Sequence, residues 1–502
     1  MIRLTAGLTL VSTVMIALAV AGCGSIAPVA PPPPAPPQAA SPAAPTVAPA
    51  VPTAAAPAPT AAQPIPATPA TEPVTIAINC GCAQGGDGDN SYRWLTEVVA
   101  PLYEGKMRQQ GKNVRLAVIQ GIVDDEALKQ QYALDIKSGR GADILAFDGF
   151  WTPEFVAAGL LKPLDELAGP DVNAWEGWQH IPEPLQRVMG YRGRRYGLAE
   201  GTDARVLWYR KDIFKEVGLP EPWQPKSWDD IFAAARLIKG KRPDVTPLQV
   251  IGGTVNGEAT TMQGWYPLLL GAGANVYDFE TNEYMGGGQA VVDALTFYKR
   301  LYVDEQLGDA RLQLVKGGRE QSQRDFRDGK IAIYAEGDYL WRAVLAEGDT
   351  ALPNKTALIG WAPMPAMAPA KGIRGQDWVT VSGGTGYVMN PNTAHPAETW
   401  AALATMFSKE ALDAFQTIEP RLRVRDDVPV PNDPVMTGLA QKILPLTTTR
   451  PADPAYPAVS LAIQQATESV IAGDKTPQEA AAAYEKRLIE IVGADRVERS
   501  AP

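Results

Sequence analysis

A short apolar run that ends in an aspartate and leads directly into a helix-forming segment is the feature that most constrains the fold. In GADILAFDGFWTPEFVAAGLLKPLDEL, residues 141–167, Ile144–Phe147 have the length and composition of a buried parallel strand. The apolar spacing over residues 150–158 then predicts a helix. Because ligands of open α/β folds bind beyond the carboxyl ends of the strands, we expect Asp148 and Trp151 to lie at a binding cleft.

Alternating strand and helix patterns extend along most of the chain. Val74–Asn79 and Val114–Val118 have the apolar spacing of strands, and helical stripes separate them from each other and from residues 144–147. This order implies a parallel sheet with right-handed crossovers. A further strand is predicted at Val206–Tyr209, and Ser227 is predicted as the N-cap of a later helix.

The strand-to-aspartate pattern occurs a second time, in IAIYAEGDYLW. Ile331–Tyr334 is predicted as a short strand that ends before Glu336, and the following helix contains Tyr339 and Trp341. Asp338 precedes that helix, where its carboxylate would serve either as the N-cap or as a ligand contact. Both interpretations stay open at the level of sequence.

Composition and charge exclude several classes of function. The 502-residue chain is 45% hydrophobic, which is enough for a large core divided between two lobes. Its formal net charge of −10 is unlike the basic surface of a nucleic-acid-binding protein. With two histidines and three cysteines, a zinc site or a Ser-His-Asp triad is difficult to assemble, so no metal or cofactor is predicted. Cys80 and Cys82 are interpreted as free or locally bridged thiols without a catalytic role.

The N-terminus has the features of an export signal. Arg3 precedes an apolar run at Leu8–Val20, and the sequence Val-Ala-Gly-Cys that ends at Cys23 is typical of a lipoprotein cleavage site. We therefore expect residues 1–22 to be a signal peptide and Cys23 to be lipidated, anchoring the chain to the outer face of the cell membrane. The alternatives are a secretory signal with an incidental cysteine and a membrane span, for which the run is short. The Pro- and Ala-rich composition of residues 23–73 predicts a disordered stalk.

Five segments, in a fixed order, resemble one protein family. The first is the stretch described above, and the others are YGLAEGTDARVLWYRKD, FRDGKIAIYAEGDYLW, SGGTGYVMNPNTAHPAETW and RPADPAYPAVSLAIQQATESVIAG. Together they span about residues 74–492 and resemble family 1 of the extracellular solute-binding proteins of ABC importers, the maltose-binding-protein-like family.

The resemblance implies an α/β fold of the two-lobe, type II periplasmic-binding-protein-like class, with hinge strands and a ligand cleft. The expected lobes are residues 74–200 plus 366–429 for the N-terminal lobe and residues 202–361 plus 430–493 for the C-terminal lobe. Strands that cross between the lobes are expected near residues 199–205 and 362–365, with a third exchange near Val430.

Individual ligand contacts are also implied by the resemblance. Asp148 matches the family's cleft aspartate after the third strand, and Asp203 falls where the family's sugar binders have a sugar-contacting glutamate. Tyr339 falls where the family places a stacking aromatic. Residues 261–265 overlie a further sugar-contacting segment.

Sugar recognition uses carboxylates, which accept hydrogen bonds from vicinal hydroxyl groups, and aromatic faces, which cover the C–H patches of a pyranose. The candidate ligand-binding residues on this chemistry are Asp148, Trp151, Asp203, Trp265, Glu336, Asp338, Tyr339, Trp341 and Trp378. Core packing is the alternative role of each tryptophan. Arg205 is interpreted either as a clamp for a ligand carboxylate or phosphate, or as a partner of Asp203.

These features predict a high-affinity extracytoplasmic binding protein that delivers a mono- or oligosaccharide to the permease of an ABC importer by hinge closure. The protein is expected to be monomeric and to have no enzymatic activity. A non-sugar solute such as a sugar phosphate is the alternative ligand. A glycoside hydrolase that uses paired carboxylates is the alternative of a different functional class.

Overall fold

The computed structural model describes residues 72–86, 88–121, 125–346, 350–428 and 432–498. The predicted signal peptide, the lipidated Cys23, the stalk as far as residue 71 and the exchange expected near Val430 lie outside the described residues. Within the described part, no helix has both the length and the apolar composition needed to cross a membrane.

The strands, numbered in chain order, are β1 (Val74–Asn79), β2 (Val114–Ile119), β3 (Ile144–Asp148), β4 (Gly190–Tyr191), β5 (Arg194–Arg195), β6 (Gly197–Ala199), β7 (Arg205–Arg210), β8 (Thr246–Val250), β9 (Tyr277–Asp278), β10 (Glu283–Met285), β11 (Ile331–Gly337), β12 (Ile359–Ala362), β13 (Met364–Pro365), β14 (Trp378–Ser382), β15 (Thr385–Met389), β16 (Thr447–Thr449) and β17 (Val497–Glu498).

The α-helices are α1 (Asp89–Arg93), α2 (Ala100–Gln109), α3 (Asp125–Lys137), α4 (Thr152–Ala157), α5 (Leu164–Ala168), α6 (Glu183–Gln186), α7 (Lys211–Val217), α8 (Trp228–Lys241), α9 (Tyr266–Gly271), α10 (Gln289–Lys299), α11 (Gly318–Arg327), α12 (Lys355–Leu358), α13 (Pro396–Met406), α14 (Lys409–Ile418), α15 (Pro434–Lys442), α16 (Tyr456–Ile471) and α17 (Pro477–Val492). Wider π-helical turns at Thr260–Trp265 and Leu340–Val344 border the site described below.

The first large sheet has the strand order β2-β1-β3-β15-β6. Strand β1 runs parallel to β2 and to β3, as the alternation of strands and helices predicts. Strand β15 is antiparallel to both of its neighbours and places Thr385 opposite Asp148. The carboxyl end of β3, which carries Asp148, therefore lies beside the start of a strand from much later in the chain.

The second large sheet has the strand order β12-β7-β11-β8. Strand β7 is antiparallel to β11 and β12, whereas β8 is parallel to β11. Every residue of β7 and β11 is buried, which explains the continuous apolar character of Val206–Tyr209 and Ile331–Tyr334. Strand β11 continues past its predicted end to Gly337, which pairs with Arg205.

This longer strand changes the role of Asp338. The helical turn after β11 begins beyond Tyr339, and no side chain caps it. Asp338 is instead fully buried, and its Oδ1 accepts a hydrogen bond from the backbone N–H of Ala204 at 3.1 Å. The N-cap interpretation is therefore wrong, because the aspartate is used to join two chain segments.

The chain passes between the two sheets through short connections. It leaves the first sheet at Ala199 and enters the second at Arg205; it leaves the second at Ala362 and returns to the first at Thr385. A small sheet of β13, β14 and β16 lies along the return path. Thr380 of β14 accepts a hydrogen bond from the Arg205 backbone N–H at 2.8 Å and donates to the Arg205 carbonyl at 3.1 Å.

Local sequence signals set the boundaries of several helices. The Ser227 side chain accepts a hydrogen bond from the Asp230 N–H at 3.2 Å, which confirms it as the N-cap of α8. Gly218 ends α7 with a left-handed φ of 80°, a conformation that glycine adopts without steric cost. Cys80 and Cys82, for which two states were open, are joined by a disulfide directly after β1.

Gly386 of β15 offers a test of the packing of the first sheet. A Cβ atom at this position would collide with the carbonyl oxygen of Leu198 on the neighbouring strand β6. We expect Gly386→Ala to lower the free energy of unfolding by about 1–3 kcal/mol, measured by denaturant titration.

The matched control is Gly240→Ala in helix α8, where an added Cβ has no heavy atom within 4 Å. This change should raise the free energy of unfolding by up to about 1 kcal/mol, because alanine is the better helix former. Equal stability of the two variants would contradict the close approach of β15 and β6.

Candidate functional site

A cavity of about 870 Å³ opens where the two large sheets and their connections meet. Most of the residues that line it have charged or polar side chains. The side chains that line it include Glu126, Asp148, Phe150, Thr202, Asp203, Arg205, Asn256, Glu258, Met262, Gln263, Lys316, Arg319, Glu320, Arg324, Tyr339, Arg342, Arg421 and Arg450.

One wall is built at the carboxyl end of β3. Asp148 ends this strand, and its Oδ1 accepts hydrogen bonds from the Phe150 N–H at 3.3 Å and from Arg450 Nη2 at 2.6 Å. The guanidinium carbon of Arg450 lies 4.4 Å from the centre of the Phe150 ring, in a cation–π arrangement. The first helical turn, Gly149–Trp151, thus presents Phe150 to the cavity and directs Trp151 into the core.

Arg450 connects this wall to the helical segment directly before the π-helical turn at Thr260–Trp265. Its Nη1 lies 3.3 Å from Glu258 Oε1, which also accepts a hydrogen bond from the Tyr456 hydroxyl at 2.7 Å. Burial raises the pKa of the Glu258 carboxyl, against the lowering effect of the Arg450 charge. Burial opposes ionisation of Arg450 as well, but the carboxylates of Asp148 and Glu258 raise its pKa and keep it charged.

An ion pair between Asp203 and Arg205 stands at the first connection between the sheets. Asp203 Oδ1 also accepts a hydrogen bond from the Gly383 N–H at 2.6 Å. Arg205 donates from Nε to Gln263 Oε1 at 2.7 Å and from Nη1 to the Val381 carbonyl at 3.1 Å. Burial would raise the pKa of Asp203, but the Arg205 charge and the Gly383 N–H lower it below its usual value.

Tyr339 and Arg319 are held from behind by Glu336. This glutamate is fully buried and accepts hydrogen bonds from Arg319 Nε at 3.1 Å and from the Tyr334 hydroxyl at 3.2 Å. The Tyr339 hydroxyl also donates to Glu336 and accepts a hydrogen bond from Arg319. Glu336 therefore fixes two lining side chains without reaching the cavity itself.

A chain of buried ion pairs forms the floor of the site. Asp338 Oδ2 accepts a hydrogen bond from Arg342 Nε at 3.0 Å, and Arg342 also pairs with Glu419. Glu419 pairs in turn with Arg421 Nε at 2.6 Å, and Arg421 Nη1 reaches Glu200 Oε2 at 2.9 Å. Because Glu200 follows β6 and Asp338 follows β11, this network ties the edges of both large sheets together.

The pKa shifts of the two glutamates in this network differ in direction. Burial would raise the pKa of Glu419, but the charges of Arg421 and Arg342 lower it below the usual value of a glutamate. Burial raises the pKa of Glu200, and the single pair with Arg421 opposes this effect without reversing it. Two cationic partners hold Glu419 ionised, whereas Glu200 has one.

The structure separates the carboxylate and tyrosine candidates into two groups. Asp148, Asp203 and Tyr339 line the cavity, on chain segments from both sheets. Glu336 and Asp338 lie behind its wall and are fully buried.

The tryptophan candidates are placed away from the cavity. Trp151, Trp265 and Trp341 are at most 2% exposed, and Trp341 stacks parallel to Trp208 with ring centres 6.1 Å apart. Trp378 is partly buried and donates to the Pro225 carbonyl at 3.3 Å. Each of these rings therefore packs against a neighbouring segment of the same chain and does not line the cavity.

Sequence reasoning missed most of the basic side chains of the site. Arg319, Arg342, Arg421 and Arg450 belong to four separate segments without a common motif, and Glu258 lies in the helical turn directly before Thr260–Trp265. The spacing between Arg450 and its partner Asp148 is 302 residues, so no local pattern joins them. Arg450 opens the RPADPAY segment quoted above, but that segment does not indicate that its arginine faces the cavity.

Glu419 provides a test of the ion-pair floor. Glu419→Gln should lower the free energy of unfolding at neutral pH by about 3 kcal/mol, because Arg342 and Arg421 would lose a shared buried carboxylate. Glu183→Gln, the control, breaks an exposed pair with Arg187 and should cost less than about 1 kcal/mol in the same denaturant titration.

The pH dependence has a defined sign. The pKa of Glu419 is lower in the folded protein than in the unfolded chain, where it is about 4.3. The ionised carboxylate therefore stabilises the fold above about pH 4.3, and this stabilisation is lost as the pH falls through the pKa of the folded state. The difference in free energy of unfolding between wild type and Glu419→Gln should therefore decrease only at acidic pH. Equal stabilities at neutral pH would contradict the network.

Comparison with known proteins is consistent with this geometry. The chain matches the family model of the bacterial extracellular solute-binding proteins over residues 88–413. A putative binding protein of Brucella abortus (strain 2308) is 25% identical over 330 residues, covering 64% of this chain and 72% of the relative. The sn-glycerol-3-phosphate-binding periplasmic protein of the same strain is 26% identical over 201 residues, covering 39% of this chain and 43% of the relative.

A solved structure shows the same fold. An ABC transporter solute-binding protein from Thermotoga lettingae, bound to α-D-tagatose, has a TM-score of 0.67 and 23% identity, over 83% of this chain and 100% of that one. The type II, two-lobe α/β fold implied by the sequence is therefore confirmed.

The matched family consists of binding proteins of ABC transporters, not of enzymes, and these proteins act outside the cytoplasm. None of these similarities supports the glycoside hydrolase alternative. The family model covers well over half of the sequence. The chain belongs to the bacterial extracellular solute-binding protein family.

Proposed function

We propose that this protein is the solute receptor of an ABC importer and binds a small polyhydroxylated compound, a carbohydrate or polyol, in the cavity between its two lobes. The observation that carries the proposal is the position of Asp148 on one sheet and of Asp203 and Tyr339 on segments of the other, all lining one cavity. The cavity volume of about 870 Å³ suits a mono- or short oligosaccharide.

The lining has the chemistry required to bind such a compound. Asp148, Asp203 and the guanidinium groups beside them exchange hydrogen bonds with ligand hydroxyl groups, each charged partner giving about 1.5–3 kcal/mol. The rings of Phe150 and Tyr339 offer apolar faces for the C–H patches of the ligand. The tagatose and sn-glycerol-3-phosphate ligands of the two similar proteins named above have this polyhydroxylated character.

Closure of the lobes would follow ligand binding. The lobes expected from the sequence are residues 74–200 plus 366–429 and residues 202–361 plus 430–493. The contacts of β14 with α9 and β7 support one change, a return boundary near residues 383–384 in place of residue 366. Short connections between two sheets allow hinge motion about a cleft.

The proposal includes a lipid anchor at Cys23 and a membrane permease as the partner. Cys23 would carry the lipid, and at about 3 Å per residue the stalk that follows would hold the receptor some 100 Å or more from the membrane. From there a monomeric receptor would present its closed lobes to the membrane permease of the importer.

Ligand-induced closure is directly measurable. A thermal-shift screen of sugars, polyols and their derivatives should identify a ligand that, at 100 times its Kd, stabilises the protein by about 2.7 kcal/mol. Small-angle scattering with that ligand should then give a smaller radius of gyration than the unliganded protein, because both lobes contact the ligand. An unchanged radius in the presence of proven binding would argue against closure.

The anchor is tested by Cys23→Ser. This variant should be released from the membrane fraction or accumulate as an uncleaved precursor, as judged by fractionation and intact mass. Ser25→Ala, two residues later, should be processed and retained like wild type. Normal processing and retention of Cys23→Ser would refute lipidation.

A further inference from the structure

Three guanidinium groups that line the cavity are held by buried carboxylates that lie behind them. Glu336 is fully buried and does not line the cavity, whereas its partner Arg319 does. Glu419 also lies outside the lining, while both of its partners, Arg342 and Arg421, contribute to it. A ligand therefore meets N–H groups that buried carboxylates have already oriented.

These ion pairs leave part of each guanidinium group available. Arg205 donates through Nε and Nη1, Arg319 through Nε and Nη2, and Arg342 through Nε and Nη1. No acceptor among the described residues is hydrogen-bonded to the remaining nitrogen of Arg205, whose side chain is only 6% exposed. This nitrogen is not among the fully buried side-chain atoms that lack a partner, and because Arg205 lines the cavity it can donate to a bound group.

Two further cations at the cavity have no carboxylate partner in the described part of the chain. Arg324 donates only to Gln321 Oε1, at 3.0 and 3.3 Å, and Lys316 is exposed at the rim. The acids Glu126 and Glu320 also line the cavity, but both are exposed at its rim, where water and salt screen them.

The start of helix α11 adds to the same wall. Gly317, with a left-handed φ of 78°, precedes this ten-residue helix, and Gly317 and Arg319 both line the cavity. The N-terminus of a helix carries a partial positive charge and favours an anion. The N-terminus of α11 and the unused nitrogen of Arg205 thus both contribute positive charge to the cavity.

The acceptors of the site are only partly in use. Oδ1 of Asp203 accepts from Arg205 and from the Gly383 N–H, and Oδ1 of Asp148 accepts from Arg450 and the Phe150 N–H. No donor among the described residues is hydrogen-bonded to Oδ2 of either aspartate, so both carboxylates can still receive a ligand hydroxyl group. The unused guanidinium nitrogens of Arg205, Arg319 and Arg342 offer donors beside them, which suits a ligand that also carries a group that only accepts hydrogen bonds.

We infer that the solute carries an oxyanion, so that the ligand is a polyhydroxylated compound with a phosphate ester or a carboxylate group. The inference rests on the proposed function and narrows its substrate class. Arg319 and Arg324, both on α11, bind the oxyanion together with Arg205 at the start of β7, through charge-assisted hydrogen bonds. The hydroxylated body extends towards Asp148 and Phe150.

The test is titration calorimetry on the full-length chain with matched probes. The anionic probes are glucose 1-phosphate, glycerol 3-phosphate and glucuronate, and the neutral probes are glucose and glycerol. At least one anionic probe should bind about tenfold or more tightly than its neutral counterpart, and salt should weaken that binding. Comparing the phosphate esters with glucuronate identifies which oxyanion is preferred.

Arginine variants distinguish binding of the anion at the cavity from a general effect of the protein's charge. Arg324→Gln should weaken binding of the preferred anion about tenfold, whereas Arg311→Gln should not, although it removes the same charge from an exposed position outside the cavity. Arg319→Lys, which keeps the charge but loses the planar donor fork, should also weaken it. Unliganded melting temperatures establish that each variant is folded.

Three results would overturn the inference. If the neutral probes bind as tightly as the anionic ones, the inference of an oxyanion is wrong, while the proposed receptor function is unaffected. Equal effects of Arg324→Gln and Arg311→Gln would show that the α11 wall does not bind the anion. Absence of binding by every probe, combined with a neutral ligand found in the thermal-shift screen above, would overturn the inference and leave the receptor function in place; absence of any ligand in that screen would overturn both.

Discussion

The burial of charge at the junction of the two sheets is the constraint on which the rest of the site depends. Guanidinium groups taken out of water require nearby carboxylates, and an uncompensated buried charge is strongly destabilising. Glu419 meets this requirement for both Arg342 and Arg421, while Arg421 also reaches Glu200. The pairs are formed between segments from both sheets, so the cavity floor exists only when the complete fold has formed.

The same constraint decides which chemical groups face the ligand. A carboxylate that neutralises an arginine from behind is not free to receive a hydroxyl group, whereas the arginine in front keeps unpaired N–H groups. Glu336 behind Arg319 is the clearest example. Of the expected residues, Asp148, Asp203 and Tyr339 line the cavity. The expected tryptophan faces, Glu336 and Asp338 do not line it, and guanidinium groups and the Phe150 ring stand there among the described lining residues.

Arg450 has a separate role, because it spans the cavity. It pairs with Asp148 at the end of β3 and with Glu258 in the helical segment after β8, so one side chain contacts segments that follow strands of both sheets. Its position over the Phe150 ring adds a cation–π contact. In the closure proposed above, these two ion pairs would link the two sides of the cavity.

The sequence by itself determined the strand and helix order, the N-cap at Ser227, the family and the cavity positions of Asp148, Asp203 and Tyr339, because each depends on local spacing or on a contiguous motif. It did not determine which aromatic rings are buried or which arginines meet at the cavity. Trp151 and Phe150 are adjacent in sequence, yet only Phe150 lines the cavity. Arg450 and Asp148 are 302 residues apart and still form an ion pair. Only the tertiary structure decides such contacts, because they depend on how two sheets pack and on where a buried charge finds its partner.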